Sequence, residues 1–206
     1  TITSGGFRMD CWKIVPPSTA VVEIPRVTRV FEFTGDASTT RTNYIQLDNL
    51  GIEQSNYTSW YRYAYPNSGD AGGGHTYPQY DRVKALPGCR NGLIYMNNAD
   101  HIWVTRCRLK NAGFSGVYLD DYNQYHRFDS NLTEEIGDVG YYVDGPYPGE
   151  GDTLKSCEFY NCKVQNVGKL GGVGVGMNLM NTGGHQILNC TLTGGPRNGI
   201  FIGAGT

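Results

Sequence analysis

Gly116-Val-Tyr-Leu-Asp120 and Gly140-Tyr-Tyr-Val-Asp144 are two readings of one five-residue phrase, and three more stretches open in the same way. These are Gly92-Leu-Ile-Tyr-Met96, Gly172-Val-Gly-Val-Gly176 and Gly199-Ile-Phe-Ile-Gly203, with leading glycines 24, 24, 32 and 27 residues apart along the series. A strand-like unit repeated every twenty-odd residues is the signature of a solenoid, where each repeat buries its apolar edge against its neighbours. A second phrase, aliphatic-x-x-Cys-x-apolar, recurs in Val104-Thr-Arg-Cys107-Arg-Leu109, Leu154-Lys-Ser-Cys157-Glu-Phe159 and Ile187-Leu-Asn-Cys190-Thr-Leu192, with a looser version at Phe128-Asp-Ser-Asn-Leu132. Asn111-Ala-Gly113, Glu135-Ile-Gly137, Asn166-Val-Gly168 and Gly194-Gly195-Pro196 follow as turns. Asn and Gly tolerate left-handed backbone angles and so suit corners between strands. Strand, corner, strand, corner at this period predicts an all-β parallel β-helix. The rival leucine-rich repeat needs a Leu-x-x-Leu-x-Leu spacing and a helical half that are missing.

Earlier in the chain, Val21–Ile24, Val30–Phe33 and Tyr44–Leu47 (continuing through Leu50 and Ile52) read as earlier coils. Residues 53–91 interrupt the rhythm. They hold Trp60, Tyr57, Tyr61, Tyr63, Tyr65, Tyr77 and Tyr80 around Gly72-Gly-Gly74. Long loops in compact folds are functional or disordered, and so many aromatics argue against disorder. The expectation is an inserted loop over the solenoid's flank. The chain is expected to be a single β-helix domain over 1–206 and a piece of a longer protein, since no capping unit is visible at either end.

A net charge of −2 and 17 basic against 19 acidic residues leave no electrostatic footprint for nucleic acid or an acidic membrane. No apolar run approaches the ~20 residues that span a bilayer, and no signal peptide is present at Thr1–Phe7. Of six cysteines, Cys107, Cys157 and Cys190 are expected in one inward column as free thiols, with Ser130 in the same place on the coil between; Cys11, Cys89 and Cys162 stand outside it.

Strand alternation puts Leu93, Val117, Val173 and Ile200 inward, together with Tyr95, Leu119, Val143, Val175 and Ile202. Two outward columns result: Ile94, Tyr118, Tyr142, Gly174, Phe201, and Met96, Asp120, Asp144, Gly176, Gly203. Asp120 and Asp144 are therefore expected side by side, flanked by tyrosines, with glycines leaving open space beyond. Two carboxylates one strand spacing apart, ~5 Å, repel when both are ionised, and one is driven to keep its proton. That combination suits glycoside cleavage of the retaining kind: one group protonates the leaving oxygen while the other attacks the anomeric carbon.

Asp121, Glu150 and Asp152 could replace either member. Trp60, Tyr118, Tyr122, Tyr142 and Tyr147 are candidate stacking platforms for sugar rings. Arg127 and Arg197 read as ligands of carboxylated sugars or as corner charges, and His126 is a candidate substrate-binding residue, although His101, His126 and His185 also read as corner residues; His75 could reach the cleft or stand as a solvated loop residue. The competing readings make the aspartates solvated turn residues or ligands of a calcium ion; no other cofactor is implied. Asn56, Asn131 and Asn189 open glycosylation sequons.

The stretches Val22–Phe33, Asn98–Leu109 and Gly184–Leu192 with Gly199–Ile202 resemble the right-handed parallel β-helix carbohydrate-active enzymes, nearest to the glycoside hydrolases that include β-xylosidases and α-fucosidases. The resemblance implies a secreted or periplasmic enzyme acting on plant or algal polysaccharide, with catalytic carboxylates on neighbouring coils. A carbohydrate is then the partner, with neither nucleic acid nor membrane. Pectate lyases, polygalacturonases, epimerases and tailspikes share the coil pattern, so a polysaccharide lyase and a non-catalytic glycan-binding or adhesin-like module are the alternatives. The absence of a basic cluster like that of calcium-dependent pectate lyases speaks against the lyase.

Overall fold

The computed structural model describes residues 2–4, 7–9, 25–36, 40–56, 90–145, 153–170 and 174–203. After an antiparallel pair, β1 (Ile2–Ser4) and β2 (Phe7–Met9), the chain winds through three parallel sheets. The first coil uses β3 (Phe31–Thr34), β4 (Thr42–Asn43), β5 (Gln46–Asp48) and β6 (Gly51–Glu53). The second has β7 (Gly92–Asp100), β8 (Trp103–Thr105) and β9 (Arg108–Lys110), and the third β10 (Ser115–Gln124), β11 (Arg127–Asp129) and β12 (Leu132–Glu134). The fourth comprises β13 (Tyr141–Asp144), β14 (Leu154–Lys155), β15 (Glu158–Tyr160) and β16 (Lys163–Gln165). The fifth has β17 (Met177–Met180), β18 (Gln186–Leu188) and β19 (Thr191–Thr193), and β20 (Ile200–Ile202) opens a sixth.

Sheet 1 runs β20-β17-β13-β10-β7-β3, sheet 2 β18-β15-β11-β8-β5, and sheet 3 β19-β16-β12-β9-β6. Every neighbour in these sheets is parallel. No helix occurs among the described residues. Of the three stretches expected as separate early coils, Val30–Phe33 and Tyr44–Ile52 supply strands of one and the same coil, and Val21–Ile24 lies outside the described residues.

Corners repeat as faithfully as strands. The residue two before each sheet-2 strand (Tyr44, His101, Tyr125, Ser156, Gly184) has positive φ, as does the residue after it (Asn49, Arg106, Ser130, Asn161, Asn189). So does the residue after each sheet-3 strand: Gln54, Asn111, Glu135, Asn166, Gly194. A left-handed residue turns the chain sharply, and stacked coils let each corner residue sit on the one before.

Inside, Ile94, Val117, Tyr141 and Met177, then Met96, Leu119, Val143 and Leu179, face Val104, Phe128 and Phe159 of sheet 2 and Leu109 and Val164 of sheet 3. Phe128 and Phe159 stack at 5.1 Å, with Tyr141 edge-on to both.

This register corrects four expectations. Ile94, not Leu93, pairs with Val117, so Ile94 and Met96 point inward and Tyr95 outward; a slip of one residue exchanges faces. The fifth-coil strand is Met177–Met180, so the column beyond Asp144 holds Met180 rather than a glycine. Leu93, Gly116, Gly140, Gly176 and Gly199 precede the inward strands; a Cβ on Gly140 would meet the Gly176 carbonyl and a Val164 methyl, both at 2.5 Å. The cysteine column is Cys107, Asn131, Cys162, Cys190, the residue before each sheet-3 strand. Cys157 sits one corner earlier, with Ile102 and His126, and Ser130 is a corner residue. All four of these cysteines are free thiols. Asn131 is buried, with its amide bonding the Cys107 N–H and the Val104 carbonyl, which removes it as a glycosylation acceptor.

Candidate functional site

Sheet 1 carries on its outer face the phrase apolar-Tyr-apolar-Asx three times: Ile94–Asn97, Val117–Asp120 and Tyr141–Asp144. The register pairs Tyr95, Tyr118 and Tyr142 in one column and Asn97, Asp120 and Asp144 in the next. The expected adjacency of Asp120 and Asp144 is therefore present, at the ~4.8 Å spacing of parallel neighbours. Past this rung the strands kink, with positive φ at Asn98, Asp121 and Asn181, before β10 pairs again through Asn123 and Gln124. Asn123 holds the kink by donating its amide to the Asp120 and Met96 carbonyls at 2.7 and 3.1 Å.

The hydrogen bonds run diagonally, from a tyrosine on one coil to a carboxylate on the next. Tyr95 donates its hydroxyl to Asp120 Oδ2 at 2.8 Å, and Tyr118 donates to Asp144 Oδ2 at 2.7 Å. Arg90 Nη1 lies 3.5 Å from Asp120 Oδ2, and Asn97 donates to the Tyr95 oxygen at 3.3 Å. Burial first, then the neighbouring carboxylates, pushes the Tyr95 and Tyr118 hydroxyls well above the usual phenol range, so both stay protonated donors. Arg29 lies 3.5 Å over the Tyr95 ring.

The outer columns are not an open face. Asp120 is 1% exposed and Asp144 0%. Tyr118 and Tyr142 stack on each other at 4.8 Å, and Tyr95 on Tyr118 at 6.1 Å, in a second apolar cluster with Phe114, Val139, Val175 and Met180. Tyr118 and Tyr142 accordingly offer no free ring to a sugar, which corrects their expected role as platforms. Their rings face one another because coils stack at about the thickness of an aromatic pair.

His126 is also corrected. It is buried inside the coil, accepts the Ile102 N–H at Nδ1 (3.0 Å) and has Asn123 Oδ1 2.9 Å from Nε2. Burial pushes it down to about 3, so it is a neutral structural histidine. His185 repeats the arrangement one coil-pair on, accepting the Cys157 N–H.

Asp121 and Tyr122 stand at and after the kink, half-buried, with Arg41 3.6 Å over the Tyr122 ring. Arg197 lines a hollow with Thr193 and Asn198 before β20, at the opposite end of the sheet-1 strands from the aspartates. Trp60, His75, Tyr147, Glu150, Asp152 and the inserted stretch from 57 to 89 lie outside the described residues, as do Val173, Cys11 and Cys89. No cluster of three or more His, Cys, Asp or Glu fit for a metal ion occurs among the described residues.

Tyr95, Arg90 and Asn97 are site residues that sequence reasoning missed. The signal was the Tyr-apolar-Asx phrase itself; aligning on the leading glycine of the second coil displaced it by one.

A search of curated proteins finds no match, and a search of solved structures finds none. A family model described as a right-handed β-helix region matches residues 83–206, well over half of the chain, and it covers the coils that carry both aspartates. The chain belongs to the right-handed β-helix family.

Proposed function

We propose that this chain is a carbohydrate-active β-helix enzyme, a glycoside hydrolase acting on plant or algal polysaccharide outside the cytoplasm, with Asp120 as its nucleophile and Asp144 as its acid. The observation that carries this reading is their register: two carboxylates stacked on adjacent coils of one parallel sheet, each held by a tyrosine hydroxyl from the coil before.

One strand spacing suits the retaining mechanism. The Arg90 guanidinium beside Asp120 supports an ionised Asp120 as the member that attacks the anomeric carbon, which leaves Asp144 to give its proton to the leaving oxygen. The glycosyl–carboxylate ester then formed is cleaved by water, whose proton returns to Asp144. The family supports the β-helix frame, which glycosidases, lyases and binding modules all use.

Burial favours a second reading. Carboxylates at 0–1% exposure, each already bonded to a tyrosine, also describe a polar ladder that holds coils together in a non-catalytic glycan-binding module. Asp120→Asn and Asp144→Asn, assayed on a panel of neutral and acidic polysaccharides, separate the two. The hydrolase requires new reducing ends, no ultraviolet absorbance from a new double bond, and loss of turnover in both variants with the fold kept. Reducing ends together with that absorbance make the protein a lyase and overturn the mechanism. Turnover unchanged in both variants removes the aspartates from the chemistry.

A further inference from the structure

The corner between sheets 1 and 2 carries three stacked rings where the backbone asks for none. Tyr44, His101 and Tyr125 occupy the same position on the first three coils, with φ of 54°, 50° and 57°. Ring centroids are 4.9 Å apart for Tyr44 and His101 and 5.1 Å for His101 and Tyr125. The fourth and fifth coils turn at this position with Ser156 and Gly184, so the corner can be made without a ring. Positive φ is the rule at these corners, but a tyrosine is an uncommon residue to hold there, and residues in sparsely populated backbone regions cluster at ligand sites. Burial does not compensate here, since Tyr44 is 77% exposed and Tyr125 48%. Two residues past His101, the Trp103 indole is 46% exposed on the outer face of sheet 2.

Charge narrows the ligand. Arg41 pairs with Asp100 at 3.9 Å, His101 Nδ1 lies 3.0 Å from Asp100, Arg106 pairs with Asp48, and Arg127 pairs with Asp129 at 2.9 Å. The aromatic corner is therefore electrically balanced, which suits neither a polyanion nor a polycation. Tyrosine, histidine and tryptophan each combine an apolar ring face with a polar tip, the pairing that a sugar's C–H face and hydroxyls require. The stack also lies close to the carboxylates along the chain: Tyr125 is the residue after β10 and follows Asp120 by five residues, a reach of no more than ~18 Å.

We infer that Tyr44, Tyr125 and Trp103, with His101 stacked between the two tyrosines, form an outlying subsite whose open ring faces stack an uncharged stretch of the same glycan chain whose linkage lies at Asp120 and Asp144. This rests on the glycan reading above and adds the substrate class: a polymer uncharged along at least this stretch.

The test uses residues that the corner itself prefers. Tyr44→Asn and Tyr125→Asn suit positive φ, so urea midpoints should stay level or rise; a fall in both midpoints would assign the rings to the fold and overturn the proposal. Binding is read by affinity electrophoresis in soluble xylan, galactomannan and mixed-linkage glucan, with polygalacturonate as the acidic probe, on the Asp120→Asn/Asp144→Asn background. The expected result is retardation by a neutral polymer that weakens about ten-fold when the tyrosines are replaced. Retardation unchanged by the replacements overturns the subsite and leaves the glycan reading standing. Retardation by polygalacturonate alone overturns the uncharged substrate. No retardation by any polymer, with no hydrolysis by the parent chain, overturns both readings together.

Discussion

Tyr118→Phe removes one oxygen from the centre of the candidate site and nothing else. The ring stays between Tyr95 and Tyr142 at 6.1 and 4.8 Å, so no cavity opens. What disappears is the 2.7 Å donor to Asp144 Oδ2, at a residue with no exposed surface. Water cannot replace it there. Hydrogen bonds to charged groups contribute about 1.5–3 kcal/mol, and a buried acceptor left bare costs its desolvation. The expected loss is about 2 kcal/mol, or a fall of ~4–8 °C in melting temperature for a chain of this size.

Asp144→Asn alone keeps the volume and an amide oxygen that can accept from Tyr118. In the double variant the tyrosine hydroxyl is gone and its partner is uncharged, so the second change should cost far less than in the wild type. A urea double-mutant cycle is expected to give a coupling of at least ~1 kcal/mol. Tyr160→Phe is the control, because its hydroxyl donates to Gln186 at 2.7 Å in the open, where water can take over. It should stay within about 0.5 kcal/mol of wild type. Equal stability of Tyr118→Phe and Tyr160→Phe, or a coupling near zero, would refute the diagonal ladder.

Two further outcomes follow from packing and burial. Burial pushes the Asp138 carboxyl up to about 7 and the His126 imidazole down to about 3. Between about pH 4 and 6.5 the folded chain holds a proton on Asp138 that the unfolded chain releases, so this group's contribution falls as pH rises. Over the same window unfolding lets His126 take up a proton, so its contribution rises with pH; the two slopes, about 1.4 kcal/mol per pH unit each, oppose one another. Asp138→Asn should expose the histidine slope as a steep loss of stability between pH 6.5 and 4, and a pH profile parallel to wild type over that window would refute the assignment. Gly140→Ala places a methyl 2.5 Å from the Gly176 carbonyl and from Val164, whereas Gly183→Ala meets nothing within 4 Å. The first should lose about 1–3 kcal/mol in urea unfolding and the second stay near wild type; equal losses would show that the glycine column is not set by close approach.

The parts of this molecule that could be read from the sequence are those that repeat one coil to the next. Asp120 and Asp144 were placed together because Gly116 and Gly140 are 24 residues apart and both strands start alike. The second coil was misread by one residue because Gly92 offers the same leading glycine while its partner in the register is Ser115. The sequence pattern puts Cys157 in the column because Leu154–Phe159 imitates the phrase that Phe159-Tyr-Asn-Cys162-Lys-Val164 truly carries. Periodicity within a strand gives direction but not exposure. Tyr118 and Tyr142 do point outward, and only packing between coils makes them buried. Nor could spacing show His126 turning inward, since Tyr125, the residue just before it, turns out.

A coil needs an inward apolar row, a small residue where sheets approach, and a left-handed residue at each corner. Most of the described chain meets those needs and no more: the fifth coil turns with Gly184, Asn189 and Gly194 and carries Asn178 and Met180 on its outer rung. The second and third coils depart from the minimum twice. They place Tyr95, Asp120 and Tyr118 on an outer face, where two buried hydroxyls must be matched to carboxylates, and they place His101 and Tyr125 on corners that Ser156 and Gly184 show can be turned without rings. Both departures sit on β7 and β10 or the corners that follow them, on either side of the kink at Asn98 and Asp121. Together they concentrate on two adjacent coils demanding residues that the fifth coil does without. The proposed glycan would account for that concentration, because a chain laid across the kink would meet the carboxylates on one side and the stacked rings on the other.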